Sequence, residues 1–180
     1  MKKIKLYIAA SIDGYIARND GDLDWLTEFP NPEKTDYGYK EFFESVDTVI
    51  MGGRTYRDIL SMDVLWPYKD KETYVITRSP MNEKKNIHFI TENVIEKISR
   101  LREQNGKDIW LVGGGKLITT LLNENMVDEM IITTIPVILG HGIPLFPDKP
   151  KESQWKLQDC ISYKNGVVQI KYKRQTNEFV

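Results

Sequence analysis

Asp108-Ile-Trp-Leu-Val-Gly-Gly-Gly-Lys-Leu-Ile-Thr-Thr-Leu-Leu122 reads as a strand, a glycine turn and a helix in immediate succession. Asp108 to Val112 is a short, mostly apolar run of the kind buried inside a parallel sheet. After Gly113-Gly114-Gly115, the segment Lys116 to Asn123 puts Leu117, Ile118, Leu121 and Leu122 on one helical face. The same arrangement occurs upstream, where Asp47 to Met51 runs into Gly52-Gly53 and a short helix over Arg54 to Leu60. Working outward, Ile4 to Ala10 is a buried strand closed by Asp13-Gly14. A polar stretch with Pro30 and Pro32 follows, then a helical segment over Gly38 to Ser45. Thr73 to Thr77, Ile87 to Ile90 and Met130 to Ile135 read as further strands, and Glu92 to Gln104 as a helix. Trp155, Leu157 and the alternation of Val167 to Tyr172 predict a closing antiparallel hairpin around Asn165-Gly166. Strands alternating with helices predict an α/β fold, a mainly parallel sheet made mixed by the terminal hairpin, with helices on both faces. No repeat, low-complexity tract or linker interrupts residues 1–180, so one domain is expected.

The composition narrows the function classes. The 180 residues carry 25 Lys and Arg against 26 Asp and Glu, a net charge of −1, which argues against a nucleic-acid binder working by bulk charge. The single cysteine, Cys160, permits no internal disulfide, and two distant histidines, His88 and His141, supply a metal site thinly. No metal ligand set is assigned. MKKIKLYIAA lacks the apolar core of a signal peptide. The longest apolar stretch, Met130 to Leu139, is well short of the roughly 20 residues that cross a bilayer. A cytoplasmic protein that engages neither membrane nor nucleic acid is expected.

The glycine turns carry the chemistry. A helix N-terminus offers unpaired N–H groups and partial positive charge, and glycines let an anionic ligand approach the backbone. Gly52-Gly53-Arg54-Thr55 and Gly113-Gly114-Gly115-Lys116 both stand at strand-to-helix junctions, where open α/β sheets bind ligands. The competing reading is that these glycines only make tight turns. Neither junction is a Rossmann fingerprint, since Ile118 stands where the third glycine belongs. Neither is a Walker A loop, which would need a glycine at Trp110 and a hydroxyl at Leu117. Thr77-Arg78-Ser79 adds a guanidinium and two hydroxyls suited to a phosphate monoester, or else a solvated loop.

The visible machinery for hydrolysis or acyl transfer is missing: there is no H-E-x-x-H, no G-x-S-x-G and no Cys/His pairing. Asp13, Asp20 and Asp22 adjoin glycines and read as turn residues. Trp25 is either the apolar wall of a flat-ligand pocket or a packed core residue. A phosphate-binding α/β domain without nucleophile or metal suits chemistry in which a cofactor supplies the reactive atom.

The order IAASIDGYIA, DTVIMGGRTY, YVITRS, IWLVGGGKLITTLL and VDEMIITTIPVILGHGIPLF resembles the dihydrofolate reductase superfamily over about residues 3–173. It is most similar to the branch holding the reductase domain of bifunctional riboflavin-biosynthesis proteins and their small stand-alone relatives. The resemblance implies a three-layer dihydrofolate-reductase-like fold, a homodimer and an NADPH-dependent reductase of a flat heterocycle, a pteridine or a ribosylamino-pyrimidine. It implies that Ala9 and Ile16 hold the nicotinamide and that Gly52, Gly53, Arg54 and Thr55 cradle a cofactor phosphate. Thr77, Arg78 and Ser79 would surround the 2′-phosphate, and Gly113, Gly114, Gly115, Lys116 and Leu117 would meet the pyrophosphate and nicotinamide. Thr133 would line the substrate pocket with Trp25, and Asp36 or water would supply a proton. The family's D-x-P-x-L-T-x-R segment is replaced here by RDILSMDVLWPYKD, and the 180 residues hold no counterpart of the deaminase domain. The alternative is a catalytically silent NADPH- or phosphate-binding module. The apolar Met130 to Leu139 stretch and VILGHGIPLF are expected to extend a joint surface between two copies.

Overall fold

A computed structural model describes residues 1–82 and 84–175. Its strands are β1 (Ile4–Ser11), β2 (Tyr15–Ala17), β3 (Val46–Gly52), β4 (Glu72–Ile76), β5 (Ile87–Ile90), β6 (Asp108–Gly113), β7 (Glu129–Ile135), β8 (Ile143–Pro144), β9 (Trp155–Ser162) and β10 (Val168–Arg174). Its helices are α1 (Asp24–Thr27), α2 (Tyr39–Glu44), α3 (Gly53–Ser61), α4 (Val94–Glu103) and α5 (Gly115–Asn123). Eight strands form one sheet in the order β5-β4-β3-β6-β1-β7-β10-β9. Neighbours from β5 to β7 run parallel, and β10 runs antiparallel to both β7 and β9. This is the mixed, mainly parallel sheet with a closing hairpin expected from the pattern.

Both faces of the sheet are covered, which explains why the central strands are apolar on both sides of their alternation. Ile4, Leu6 and Ala10 of β1 join Ile98 and Leu101 of α4 and the four apolar residues of α5 in one core. The opposite core holds Val49 and Met51 of β3 with Phe42 of α2, Tyr56 of α3 and Trp110. A smaller cluster of Trp25, Ile135 and Val167 closes the carboxyl end of the sheet beside Ala9 and Tyr37.

Three short elements escape periodicity. β2 and β8 pair antiparallel in a separate ribbon, and α1 is a single turn around Trp25. Strands of three and two residues leave no alternation to read. Of the Met130 to Leu139 stretch, expected at a joint surface, β7 lies inside the sheet between β1 and β10 with Met130 and Ile135 buried in the core, while Ile138 beyond its end is exposed.

The basic amino terminus is neutralised within the fold. Lys2 pairs with Asp47 at 2.6 Å, Lys3 with Glu129 at 2.8 Å and Lys5 with Asp108 at 2.8 Å, while Arg102 grips Asp128 at 2.9 Å. These pairs staple the amino-terminal ends of β1, β3, β6 and β7. No helix among the described residues is long and apolar enough to cross a membrane.

Candidate functional site

The glycine turns meet because β3 and β6 are neighbours in register, Met51 opposite Gly113, while Gly52 stands opposite Ile76 of β4. A methyl group on Gly114 would lie 3.5 Å from Thr55 Oγ1 and 3.6 Å from both the nitrogen and Cα of Gly52. Gly114 has φ +91°, a backbone that other residues rarely adopt, so a glycine is required there on conformational grounds as well.

Neither α3 nor α5 has a side-chain N-cap, and neither carries an acid in its first turn. Their first N–H groups therefore lack intrahelical partners, and both positive helix ends open beside the same pair of glycine turns. That is the physical specification of an anion site.

The residues expected around it divide. Gly52, Gly53, Thr55, Thr77, Gly113 and Gly114 are brought together. Gly115 serves packing: a β-carbon there would sit 2.8 Å from the Pro144 carbonyl oxygen and 2.9 Å from Pro147. Leu117 is buried in the core, so it can offer a ligand only its backbone, and Lys116 is exposed one residue before it. The Arg54 guanidinium donates to the Asn19 carbonyl at 3.2 Å and approaches Asp58 at 3.8 Å. It thereby ties α3 to the loop between β2 and α1. Arg78 and Ser79 are exposed, and the Ser79 amide donates to Thr77 Oγ1 at 3.2 Å.

Sequence reasoning missed Arg57. Its Nη1 lies 3.3 Å from where a Gly53 β-carbon would be, beside Thr77 Oγ1. The signal available was helical spacing, since Arg57 is three residues beyond Arg54 and one turn from the glycines.

The substrate side expected from the resemblance is a row across three strands: Ala9 pairs with Thr133, and Thr133 with Gln169. Thr133 and Gln169 are both buried. Gln169 Nε2 donates to Thr133 Oγ1 and to the Tyr37 carbonyl, each at 2.9 Å. Because a carbonyl can only accept, the amide orientation is determined. Tyr7 donates to the same carbonyl at 2.9 Å, and burial pushes its phenol up to about 12. Gln169 is a second residue that the sequence did not flag, since a polar residue in an alternating strand gives no sign of its face.

Trp25 is buried beside Ile135 and Val167, with Ala9 packed against the cluster, and its indole N–H has no partner among the described residues. Ile16, on β2, packs against the α5 core. The β2–β8 ribbon holds it there, and the Leu145 amide donates to the Gly14 carbonyl at 2.9 Å.

Asp36, expected as a proton donor, is instead an exposed helix cap. Its two carboxylate oxygens accept from the Lys40 amide at 3.2 Å and the Gly38 amide at 3.0 Å. Those amides, Lys40 first, hold its carboxyl below the usual range, which favours the ionised form and makes it a poor acid. Asp24 forms a two-pronged pair with Arg18 at 2.6 and 3.0 Å. Asp13 accepts from the Leu139 and Gly140 amides, fastening the loop after β7.

Comparison with known proteins gives a consistent likeness. The model of the RibD C-terminal domain matches residues 2–169. The uncharacterized protein YwjB of Bacillus subtilis is 41% identical over 174 residues, covering 96% of this chain and 98% of that one. A Shewanella sp. PV-4 structure, provisionally named a riboflavin biosynthesis protein, superposes with a TM-score of 0.87 at 31% identity, covering 97% and 99% of the two chains. The Thermotoga maritima diaminohydroxyphosphoribosylaminopyrimidine deaminase/5-amino-6-(5-phosphoribosylamino)uracil reductase gives 0.71 at 16% identity, covering 97% of this chain and 57% of that one. Dihydrofolate reductase of Enterococcus faecalis, complexed with NADP(H), gives 0.67 at 16% identity over 97% of each chain.

Proposed function

Because the chain belongs to the RibD C-terminal domain family, we propose that it is an NADPH-dependent reductase of a flat heterocycle, in the class of pteridines and ribosylamino-pyrimidines. It would work in the cytoplasm as a homodimer. The reductase-like fold is common ground; cofactor, substrate and activity are the proposal.

One observation carries the reading. Two uncapped helix ends, α3 and α5, open beside glycine turns so close that a single methyl group on Gly114 would fill the slot between them. The fit to a dinucleotide rests on these residues: free N–H groups for phosphate oxygens, Thr55 and Thr77 hydroxyls beside them, and the Arg57 guanidinium at the Gly53–Thr77 contact. When bound, the cofactor supplies the hydride.

The chain's own part is positioning and exclusion of water. Ala9 on β1 and Ile16 on β2 give the nicotinamide apolar walls from two separate elements. Gln169 occupies a lone pair of Thr133 Oγ1, so the threonine proton is directed away from Gln169 and is available to an acceptor on the substrate. Trp25 contributes a second buried donor, its indole N–H, which has no partner among the described residues. Asp36 is occupied in capping α2, so water delivers the proton that accompanies hydride transfer.

Titration of NADPH against intrinsic tryptophan fluorescence tests the reading. Saturable quenching, tighter for NADPH than for NADH, is expected. No saturation at millimolar cofactor would exclude it. The capping role of Asp36 favours one second reading, a cofactor-binding module without turnover. Stoichiometric NADPH binding with no oxidation across pterins and ribosylamino-pyrimidines would select that alternative.

A further inference from the structure

A second concave surface, a groove of about 280 Å³, lies on the flank of the sheet, where α4 meets β4 and the outermost strand β5. Ile90 and Leu101, both buried, give it an apolar lining. Tyr74 and His88 line it as cross-strand partners, their rings stacked at 4.9 Å with 28° between the planes. His88 Nε2 donates to the Glu72 carboxylate at 2.8 Å, which holds the imidazole against the tyrosine ring. The glycine turns stand at the carboxyl ends of β3 and β6, and the groove shares no residue with them.

The charge comes from α4. Lys97, Arg100 and Leu101 follow the spacing i, i+3, i+4, so they share one helix face, and all three line the groove. No acid among the described residues lines it. Arg100 is exposed and gives one of the five N–H donors of its guanidinium to Glu96, one turn back. Lys97 is half-buried and forms no ion pair among the described residues. A lysine stem laid over apolar surface accounts for that burial by itself. It does not account for a stacked aromatic pair, a buried apolar lining and two cations converging on one concavity.

We infer that this groove binds a small planar aromatic carboxylate, at a site separate from the glycine turns. The ring packs against Ile90, Leu101 and the Tyr74–His88 pair, and the carboxylate meets Lys97 and Arg100 on the α4 side. Each part of the groove selects one feature of that ligand. Its volume falls at the small end of ligand pockets, which run from about 300 Å³ upward, so it suits one ring or two fused rings. Aromatic side chains favour offset or edge-on packing with another ring, which an aliphatic acid forgoes. The guanidinium fork matches the two oxygens of a carboxylate. Inorganic phosphate would meet the same cations but leave the apolar lining uncovered.

Benzoate is the probe. Amide-resolved NMR titration of the full chain should give saturable shifts along β5 and α4, with a dissociation constant of about a millimolar for so small a ligand. Benzamide keeps the ring without the charge, and cyclohexanecarboxylate keeps the charge without the ring; each should bind roughly threefold more weakly or worse. Lys97→Ala and Arg100→Ala put a strong helix former on the rim of α4, so thermal stability should hold, while benzoate should weaken roughly three- to tenfold in each. Saturating NADPH should leave the benzoate shifts in place. Absence of saturation far above millimolar benzoate, equal binding of either analogue or of inorganic phosphate, or indifference to both substitutions would each overturn the inference. Displacement by NADPH would overturn it too, by making the groove part of the cofactor site. A chain that bound benzoate but not NADPH would sink the cofactor reading alone.

Discussion

A methyl group on Gly53 would lie 2.6 Å from the hydroxyl oxygen of Thr77 and 2.7 Å from its β-carbon, so the first turn of α3 and the end of β4 touch with no room between them. Gly53→Ala must push these elements apart. Overpacking of this kind costs about 1–3 kcal/mol. The urea midpoint should fall accordingly, and NADPH affinity should fall with it because the Thr77 turn moves. A variant with unchanged stability would mean that the two elements are looser than this contact implies.

Arg57 rather than Arg54 holds the guanidinium nearest the Gly53–Thr77 contact, since Arg54 is engaged with Asn19 and Asp58. A charge-assisted hydrogen bond contributes about 1.5–3 kcal/mol, roughly ten- to a hundredfold in affinity. Arg57→Ala should therefore weaken NADPH by that factor and leave NADH, which lacks the 2′-phosphate, nearly unaffected. Arg54→Ala should change the two cofactors alike. Fluorescence titration of both variants with both cofactors decides between them. Equal losses for NADPH and NADH in Arg57→Ala would remove it from the 2′-phosphate site.

Gln169→Leu keeps the size of the side chain and deletes both donated hydrogen bonds, leaving Thr133 Oγ1 and the Tyr37 carbonyl without that partner in the interior. Each buried polar group so stranded costs about 1–3 kcal/mol. The Tyr7 hydroxyl still reaches the Tyr37 carbonyl, so the loss should lie toward the lower end for that group. Chemical denaturation measures it, and a neutral result would mean that water replaces the amide.

Legibility in the sequence follows the size of the physical signal. β1, β3 and β6 were readable because burial on both faces makes a strand apolar throughout, and α5 because four apolar residues line one of its faces. The glycine turns were readable because glycine has few other reasons to stand at three successive positions. What their neighbours do was not. Gly115 and Gly114 are adjacent and identical in letter, yet one accommodates Pro144 and Pro147 and the other borders the slot beside Thr55. Asp36 illustrates the opposite error. Its position suggested a catalytic acid, but whether a carboxylate caps a helix or enters a pocket depends on the backbone amides near it, which spacing does not reveal. Gln169 and Arg57 acquire their partners only through β10 pairing and the β3–β4 junction, both of which are tertiary.

The acid limb of stability offers the last prediction. Glu129, the first residue of β7, is buried, with Lys3 Nζ at 2.8 Å and Lys171 Nζ at 3.8 Å. Burial alone would raise its carboxyl, but the ammonium groups, Lys3 foremost, outweigh it and hold the pKa below the ordinary value. The unfolded chain, with a glutamate pKa of about 4.3, then takes up a proton before the folded one does. The stabilisation is thus complete above that value and is lost as pH falls through the lower, folded pKa. Asp47 and Asp108, whose lysine partners likewise outweigh burial, lose their contribution over the corresponding acid range. Glu129→Gln should cost about 1–2 kcal/mol at neutral pH, less than a fully buried pair because Lys3 remains half exposed. Urea unfolding of both proteins at neutral and acid pH should show that difference shrinking as the wild type is protonated. A difference that stays constant with pH would mean that shape at this site matters and its charge does not.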